Sequence, residues 1–247
     1  MPNKSIWISF FAVVVSFIGG FLLANTLNRG EIEANRAEND GLKTAQVKGT
    51  QNSPELTLTS EEIKTKIAQA DANQNNFAFQ KNLGLALYRY GSMKQDPELI
   101  SESARILQRA FDLDPADFDI QTGLGNAYFD VGYFNKDNES FVKSREYYGK
   151  ALAKRPGDVE IRTDQGITYF LQQPPDLERA VGEFEKSLAI NPKHEKTLQF
   201  LIQSLVKQNE TGKAAYYLEQ LKKANADNPS ITELSMLLDG GRVGLKK

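Results

Sequence analysis

The sequence predicts an all-α protein, a solenoid of stacked helical hairpins preceded by one N-terminal transmembrane helix. Three observations predict it. In residues 118–156, Leu124, Gly125 and Tyr128 share one helical stripe, Tyr148 and Ala151 share a second, and Pro156 closes the unit. The same signature recurs upstream in Leu83, Gly84, Leu87, Leu107, Ala110 and Pro115, and downstream in Gly166, Tyr169, Ala180, Phe184 and Pro192. Residues 6–24 are apolar and carry no charge. Two short amphipathic helices joined by a turn cannot both bury an apolar face alone, so copies of such a unit must stack.

The chain opens with a short tail, residues 1–5, before the candidate membrane helix at residues 6–27. At 1.5 Å per residue the uncharged run reaches about 28 Å, the thickness of a hydrocarbon core. A cleaved signal peptide fits less well. The run exceeds the usual apolar length, Lys4 is the one cation before it, and Leu22 with Ala24 makes a poor cleavage site. Ala12, Ser16, Gly20 and Ala24 recur every fourth residue, a spacing that lets two membrane helices approach closely and form a homodimer. Small residues are also common in any membrane helix, which is the plainer reading of the stripe. Lys4 on one side and Arg29 and Arg36 on the other nearly balance the positive-inside rule, with a lean towards an inside N-terminus.

Residues 28–58 are polar and poor in apolar side chains, too poor to offset their ordering entropy. They read as a tether, with an end-to-end distance of roughly 30 Å for about 30 residues. Thr59 and Glu62 form a capping-box pattern that opens a helix over residues 59–73, carrying Ile63, Ile67 and Ala70. This helix is expected to cover the exposed face of the first hairpin.

Four units follow, at residues 77–117, 118–158, 159–194 and 195–228. The fourth lacks its proline but keeps Leu198, Leu201, Leu205, Ala214 and Leu218 in register. Gly84 to Gly125 is 41 residues, Gly125 to Gly166 is 41 and Gly166 to Ile202 is 36, so the period is 34 with insertions of 7, 7 and 2. All three insertions are expected in loops between the two helices of a unit. Gly91 and Gly132 are expected to stop the first helices, with Asp96–Pro97 and Asn138 starting the second ones. Gln173, Pro174, Pro175 and Asp176 make the corner of unit three, and residues 209–212 the turn of unit four. A closing helix at residues 229–239, with Ile231, Leu234, Leu237 and Leu238, precedes a loose tail at residues 240–247.

These units resemble the tetratricopeptide repeat family over residues 77–226. The resemblance implies a right-handed superhelix. Counting the closing proline as unit position 32, Gly84, Gly125 and Gly166 occupy position 8, and Leu107, Tyr148 and Phe184 occupy position 24. The chain departs from the family at position 4, where Gln80, Gln121, Arg162 and Leu198 replace a large aromatic residue, at position 7 with Gln165, and at position 8 with Ile202.

In the family, first-helix positions 2, 5, 9, 12 and 13 line a concave groove that binds a segment of another protein. Transferred onto this chain, the resemblance implies a groove of Lys81, Tyr88, Arg89, Asn126, Phe129, Asp130, Thr163, Ile167, Phe170, Gln199, Gln203 and Lys207, with Val206 completing the position-12 row. Family members that clamp a carboxylate-ended tail need Asn and cations where this chain has Leu85, Gly123, Glu160 and Asp164. Two carboxylates there would repel such a tail, which excludes that mode.

The remaining chemistry is sparse. The chain has 247 residues, 40% of them hydrophobic, with a formal charge of -2, and nothing in that balance draws nucleic acid. It has no cysteine, which removes thiol catalysis, disulfides, Cys-ligated zinc, iron–sulfur clusters and covalent haem attachment. His194 stands alone at a helix start, without a second metal ligand beside it. The pairs Asp112 with Asp114 and Asp117 with Asp119 fit turn and cap chemistry, and Gly123-Leu124-Gly125 lies inside a helix. No nucleophile elbow is present.

The expected protein is therefore no enzyme and uses no metal or cofactor. It is a membrane-anchored scaffold, held in the bilayer by residues 6–27, that binds protein partners in the groove. Its layout is similar to bacterial envelope proteins, which implies a single-pass inner-membrane location with the repeats on the periplasmic side. The alternatives are a self-associating membrane organiser, or a repeat subunit of a cytochrome c maturation or secretion machine.

Overall fold

The structure, a computed structural model, describes residues 59–244, with side chains through Gly240. The membrane helix, its stripe of Ala12, Ser16, Gly20 and Ala24, and the tether lie outside the described residues. Among the described residues no helix is long and apolar enough to cross a membrane.

Ten helices are described: α1 (Ser60–Ala72), α2 (Phe77–Lys94), α3 (Pro97–Leu113), α4 (Phe118–Asn135), α5 (Asn138–Lys154), α6 (Val159–Leu171), α7 (Leu177–Ile190), α8 (Glu195–Lys207), α9 (Thr211–Ala224) and α10 (Ile231–Gly244). The hairpins are α2/α3, α4/α5, α6/α7 and α8/α9. First helices α2, α4, α6, α8 and α10 pack side by side, and each second helix packs on its own first helix and the next one. The backbones of successive second helices stand apart, which leaves clefts between them on the side away from the first helices.

Local chemistry starts several helices where the sequence says it should. Thr59 and Glu62 close the expected capping box on α1. Asn76, Asp117 and Asp158 each accept the amide N–H three residues on, at the starts of α2, α4 and α6. Pro97 sits in the first turn of α3 behind the N-cap Asp96.

Two expectations are corrected. Gly91 and Gly132 do not end helices; both are buried inside them, where an added Cβ would meet Ile100 and Phe141 of the facing helix at 3.0 and 2.8 Å. The helices end instead at Gln95 and Lys136, both left-handed at φ 54, and the Asp96 and Asp137 N–H groups donate back to the Gly91 and Gly132 carbonyls. Asp137, not Asn138, is the N-cap of α5. The seven-residue insertions are therefore helix, not loop. Units one and two have helices of 18 and 17 residues, against 13 and 14 in units three and four. Their connections shrink to two residues, and at the step down to unit three the Asn138 carboxamide pairs with both the N–H and the carbonyl of Gln173. The second correction is at the end of the chain, where α10 continues to Gly244 past the expected break at Gly240.

The glycines at position 8 explain the close hairpins. A Cβ on Gly125 would lie 2.4 Å from the Tyr148 ring, and one on Gly166 would lie 2.6 Å from Phe184. The largest apolar cluster runs from Phe129 to Leu238, through Tyr148, Phe184, Phe200 and Leu201. Three smaller clusters serve units one and two, around Leu107 and Leu124, around Leu87 and Ile106, and around Ile100 and Ala127.

Both ends are half-units, the outer face of α1 polar and that of α10 polar except for Met236. Continuing the 34-residue register, α1 is a second helix whose positions 20, 24 and 27 are Glu62, Lys66 and Gln69, all exposed. Those positions face a unit's own first helix elsewhere, as Tyr148 and Ala151 do. Likewise α10 is a first helix that turns Leu234 and Leu238 back into the core, at 1% and 4% exposure. Its forward positions 4, 7, 8 and 11 are Thr232, Ser235, Met236 and Asp239. A solenoid needs such ends to stay soluble.

Candidate protein-binding groove

The side-by-side first helices form one face, and every candidate groove residue lies on α2, α4, α6 or α8. The structure divides them into two sets. Lys81, Tyr88, Asn126 and Gln199 are partly exposed, and Arg89 and Lys207 are exposed. Phe129, Asp130, Thr163, Ile167, Phe170 and Gln203 are buried, as is Val206. The expectation that this second set faces a ligand is corrected. Position-12 rings turn into the core: Phe129 meets Phe141 of its own hairpin edge-on, and Phe170 meets Phe200 of the next unit edge-on. Lys207 places its Nζ 4.3 Å from the Phe170 ring centroid and covers it from the groove side.

Polar contacts tie the units together along this face. Lys81 Nζ donates to Asp117, the N-cap of α4, and to Asp119 in its first turn, at 2.7 and 2.9 Å. Burial works against the Lys81 charge, but the two carboxylates outweigh it and raise its pKa. Burial likewise works against ionised Asp117, yet the Lys81 ammonium and the Ile120 amide hold its carboxyl below the usual range. Asp130 accepts from the Tyr88 hydroxyl and the Ser92 hydroxyl, at 2.9 and 3.0 Å. Lys196 pairs with Asp164 at 2.6 Å and lies 3.6 Å from Glu160. The two carboxylates that excluded a carboxylate clamp thus hold the fourth unit against the third.

His194 belongs to the same junction. Its Nε2 is 2.7 Å from Glu160 and its Nδ1 is 2.6 Å from the Thr197 hydroxyl. Behind it the hydroxyls of Thr163, Ser187 and Thr197 meet within 3.1 Å of one another, fully buried. Ser187 stands where Ala110 and Ala151 stand in earlier units, a substitution that could have flagged this buried polar layer. Among the described residues no cluster of His, Cys, Asp and Glu could hold a metal ion.

Position 4 also acquires a physical account. The Gln80, Gln121 and Arg162 side chains each donate to a carbonyl of the preceding turn or helix end, at Ala70 and Asn73, at Pro115 and at Pro156. Leu198 instead joins the apolar cluster. Polar anchors thus replace the family's aromatic plug in three units. Ser92 and Tyr133, at position 16, were missed as face residues; they exist on this face only because α2 and α4 run five residues longer than α6 and α8.

Together, the paired helices, the position-8 glycines and the shared first-helix face define a helical-repeat solenoid of the tetratricopeptide type. Solved structures of MamA, a tetratricopeptide-like all-helical protein, share it. MamA residues 41 to the end from Desulfovibrio magneticus RS-1 superpose with a TM-score of 0.54 at 16% identity, covering 69% of this chain and 87% of that one. A second MamA crystal structure covers 84% of this chain and 93% of its own, with a TM-score of 0.53 at 14% identity. No protein-family profile matches the sequence, and no curated protein matches it.

Proposed function

We propose that this chain is a membrane-anchored scaffold that docks a segment of another protein along its concave face. Residues 6–27 would hold it in a bacterial inner membrane, with the solenoid on the periplasmic side. The observation that carries the reading is one continuous first-helix face across four units, on which Tyr88, Arg89, Asn126, Gln199 and Lys207 remain accessible. Such a surface combines an aromatic anchor with dispersed hydrogen-bonding groups, the chemistry by which grooves hold extended or helical segments. The likeness to MamA supports the fold on which this reading stands. The outer faces of α1 and α10, polar except for Met236, speak against end-to-end stacking of solenoids. A homodimer would instead form through Ala12, Ser16, Gly20 and Ala24.

The test is crosslinking capture with the full chain in membranes, wild type against a Tyr88→Ala, Asn126→Ala, Lys207→Ala variant. These three positions are chosen over Phe129 and Phe170, whose loss would open cavities in the core. Partners should drop from the variant's capture; an unchanged partner set overturns the groove. Removal of residues 1–27 should release the protein from the membrane fraction, and retention overturns the anchor.

A further inference from the structure

The repeats supply an internal template for the face away from the first helices. Between α5 and α7 the floor is Tyr169 at position 11, and two cations cover its ring: Arg145 from position 21 of one unit, at 4.3 Å, and Arg179 from position 19 of the next, at 5.8 Å. Arg145 Nη1 also donates to the Thr168 hydroxyl at 3.1 Å. That cleft is filled by its own side chains.

The equivalent cleft between α3 and α5 is not. Its floor is Tyr128, again at position 11, and Lys143 takes the place of Arg179, 5.3 Å from the ring centroid. The place of Arg145 is held by Ala104, and that of Thr168 by Ala127. Loss of one long side chain leaves a cleft of about 430 Å³ between Ala104, Arg105, Gln108, Arg109, Tyr128 and Val131. Its floor is apolar, made by Ala104, Val131 and the Tyr128 ring, whose hydroxyl burial has pushed up in pKa, with Glu146 adding to the shift. The Tyr128 ring stacks in parallel on Tyr147 at 5.8 Å, and Tyr147 is locked to Gln108 by a 2.5 Å hydrogen bond, so the floor is rigid.

The rim is cationic. Arg105 and Arg109 both stand on it, each oriented from outside the cleft by Asp71 on α1, at 2.8 and 2.6 Å, and Arg105 also by Glu102. No carboxylate is among the residues that line the cleft. Each guanidinium carries five N–H donors, so Arg109, which gives Asp71 one, can take a second carboxylate.

We propose that this cleft is a second docking site, which takes a bulky apolar side chain flanked by Asp or Glu on a partner protein. The apolar group would fill the volume that Arg145 fills one unit later, and its flanking carboxylates would meet Arg105, Arg109 and Lys143. The site is on the face opposite the groove and does not depend on the groove reading.

The absence of cysteine makes a direct test available. The full chain carrying Ser101→Cys, labelled with an environment-sensitive dye, is titrated with acetylated, amidated Asp-Glu-Leu-Phe-Glu-Asp and with its counterpart in which Lys replaces the acids. The acidic peptide should shift the dye signal, and Ala104→Arg, which copies Arg145 into this cleft, should weaken that response by about tenfold or more. Arg109→Gln, which leaves the floor intact, should weaken it less and flatten its salt dependence. Equal response to the two peptides, no response up to millimolar peptide, or an Ala104→Arg protein that still melts cooperatively and binds undiminished, would each overturn the proposal.

Discussion

At the scale of single residues, the fold depends on where a side chain is absent. Gly125 lies against the Tyr148 ring, which is fully buried, whereas Gly149 on the outer side of α5 has open space around its Cα. Gly125→Ala should cost about 2–3 kcal/mol through overpacking. Gly149→Ala should stabilise by about 0.5–1 kcal/mol, because alanine loses less backbone entropy in a helix. Denaturant melts of the two variants check the pair; a mild Gly125→Ala would mean that the hairpin can part without penalty. Residues of this kind were legible, since a glycine opposite an aromatic at fixed spacing has a steric meaning in the sequence itself. The position-12 rings were not. Helical spacing gives Phe129 and Phe170 a direction, but only the approach of the neighbouring unit decides whether that direction is solvent or core.

At the scale of elements, the junctions between first helices are held by charge as well as by apolar contact. The α2–α4 junction closes on the Lys81 clasp, and Asp117 is both its acceptor and the N-cap of α4. Because the Asp117 carboxyl is held below the range of an unfolded aspartate, its contribution is complete at neutral pH and is lost as pH falls through the folded value. Stability should therefore decline below about pH 5, and Asp117→Asn should decline less steeply. Asparagine caps a helix as well as aspartate does, so the variant removes the charge and spares the cap. Melting temperature followed against pH reads this out, and identical slopes for the two proteins would sink it. Helix existence and pairing were legible in this chain, while the fate of the inserted residues was not. A glycine in mid-helix and a glycine at a helix end look alike until the facing Ile100 or Phe141 shows that the glycine is needed for contact.

At the scale of the whole molecule, the described residues make four hairpins flanked by two half-units. The last half-unit is asymmetric: α10 buries Leu234 at 1% exposure and leaves Met236 at 69%. Leu234→Ala should cost about 2–4 kcal/mol, whereas Met236→Ala should stay within about 0.5 kcal/mol. Equal losses in urea titrations would contradict the asymmetry of α10. The solenoid and its caps were legible because period and polarity are properties of the sequence. The divided groove was not, since curvature and inter-unit rotation arise only from the summed packing of all units.

The uneven core carries one more consequence. Units three and four share the large Phe129–Leu238 cluster, while α1 reaches the rest through Ile63, Ile67 and Ala70 and through the exposed Asp71 bridges. In a solenoid each unit leans only on its neighbours, so stability is graded along the axis. Force entering at residue 59 would meet the weaker end first and peel α1 from α2, leaving the C-terminal units folded. The protein would yield in stages, as a fuse does, and keep the larger part of its surface intact under load.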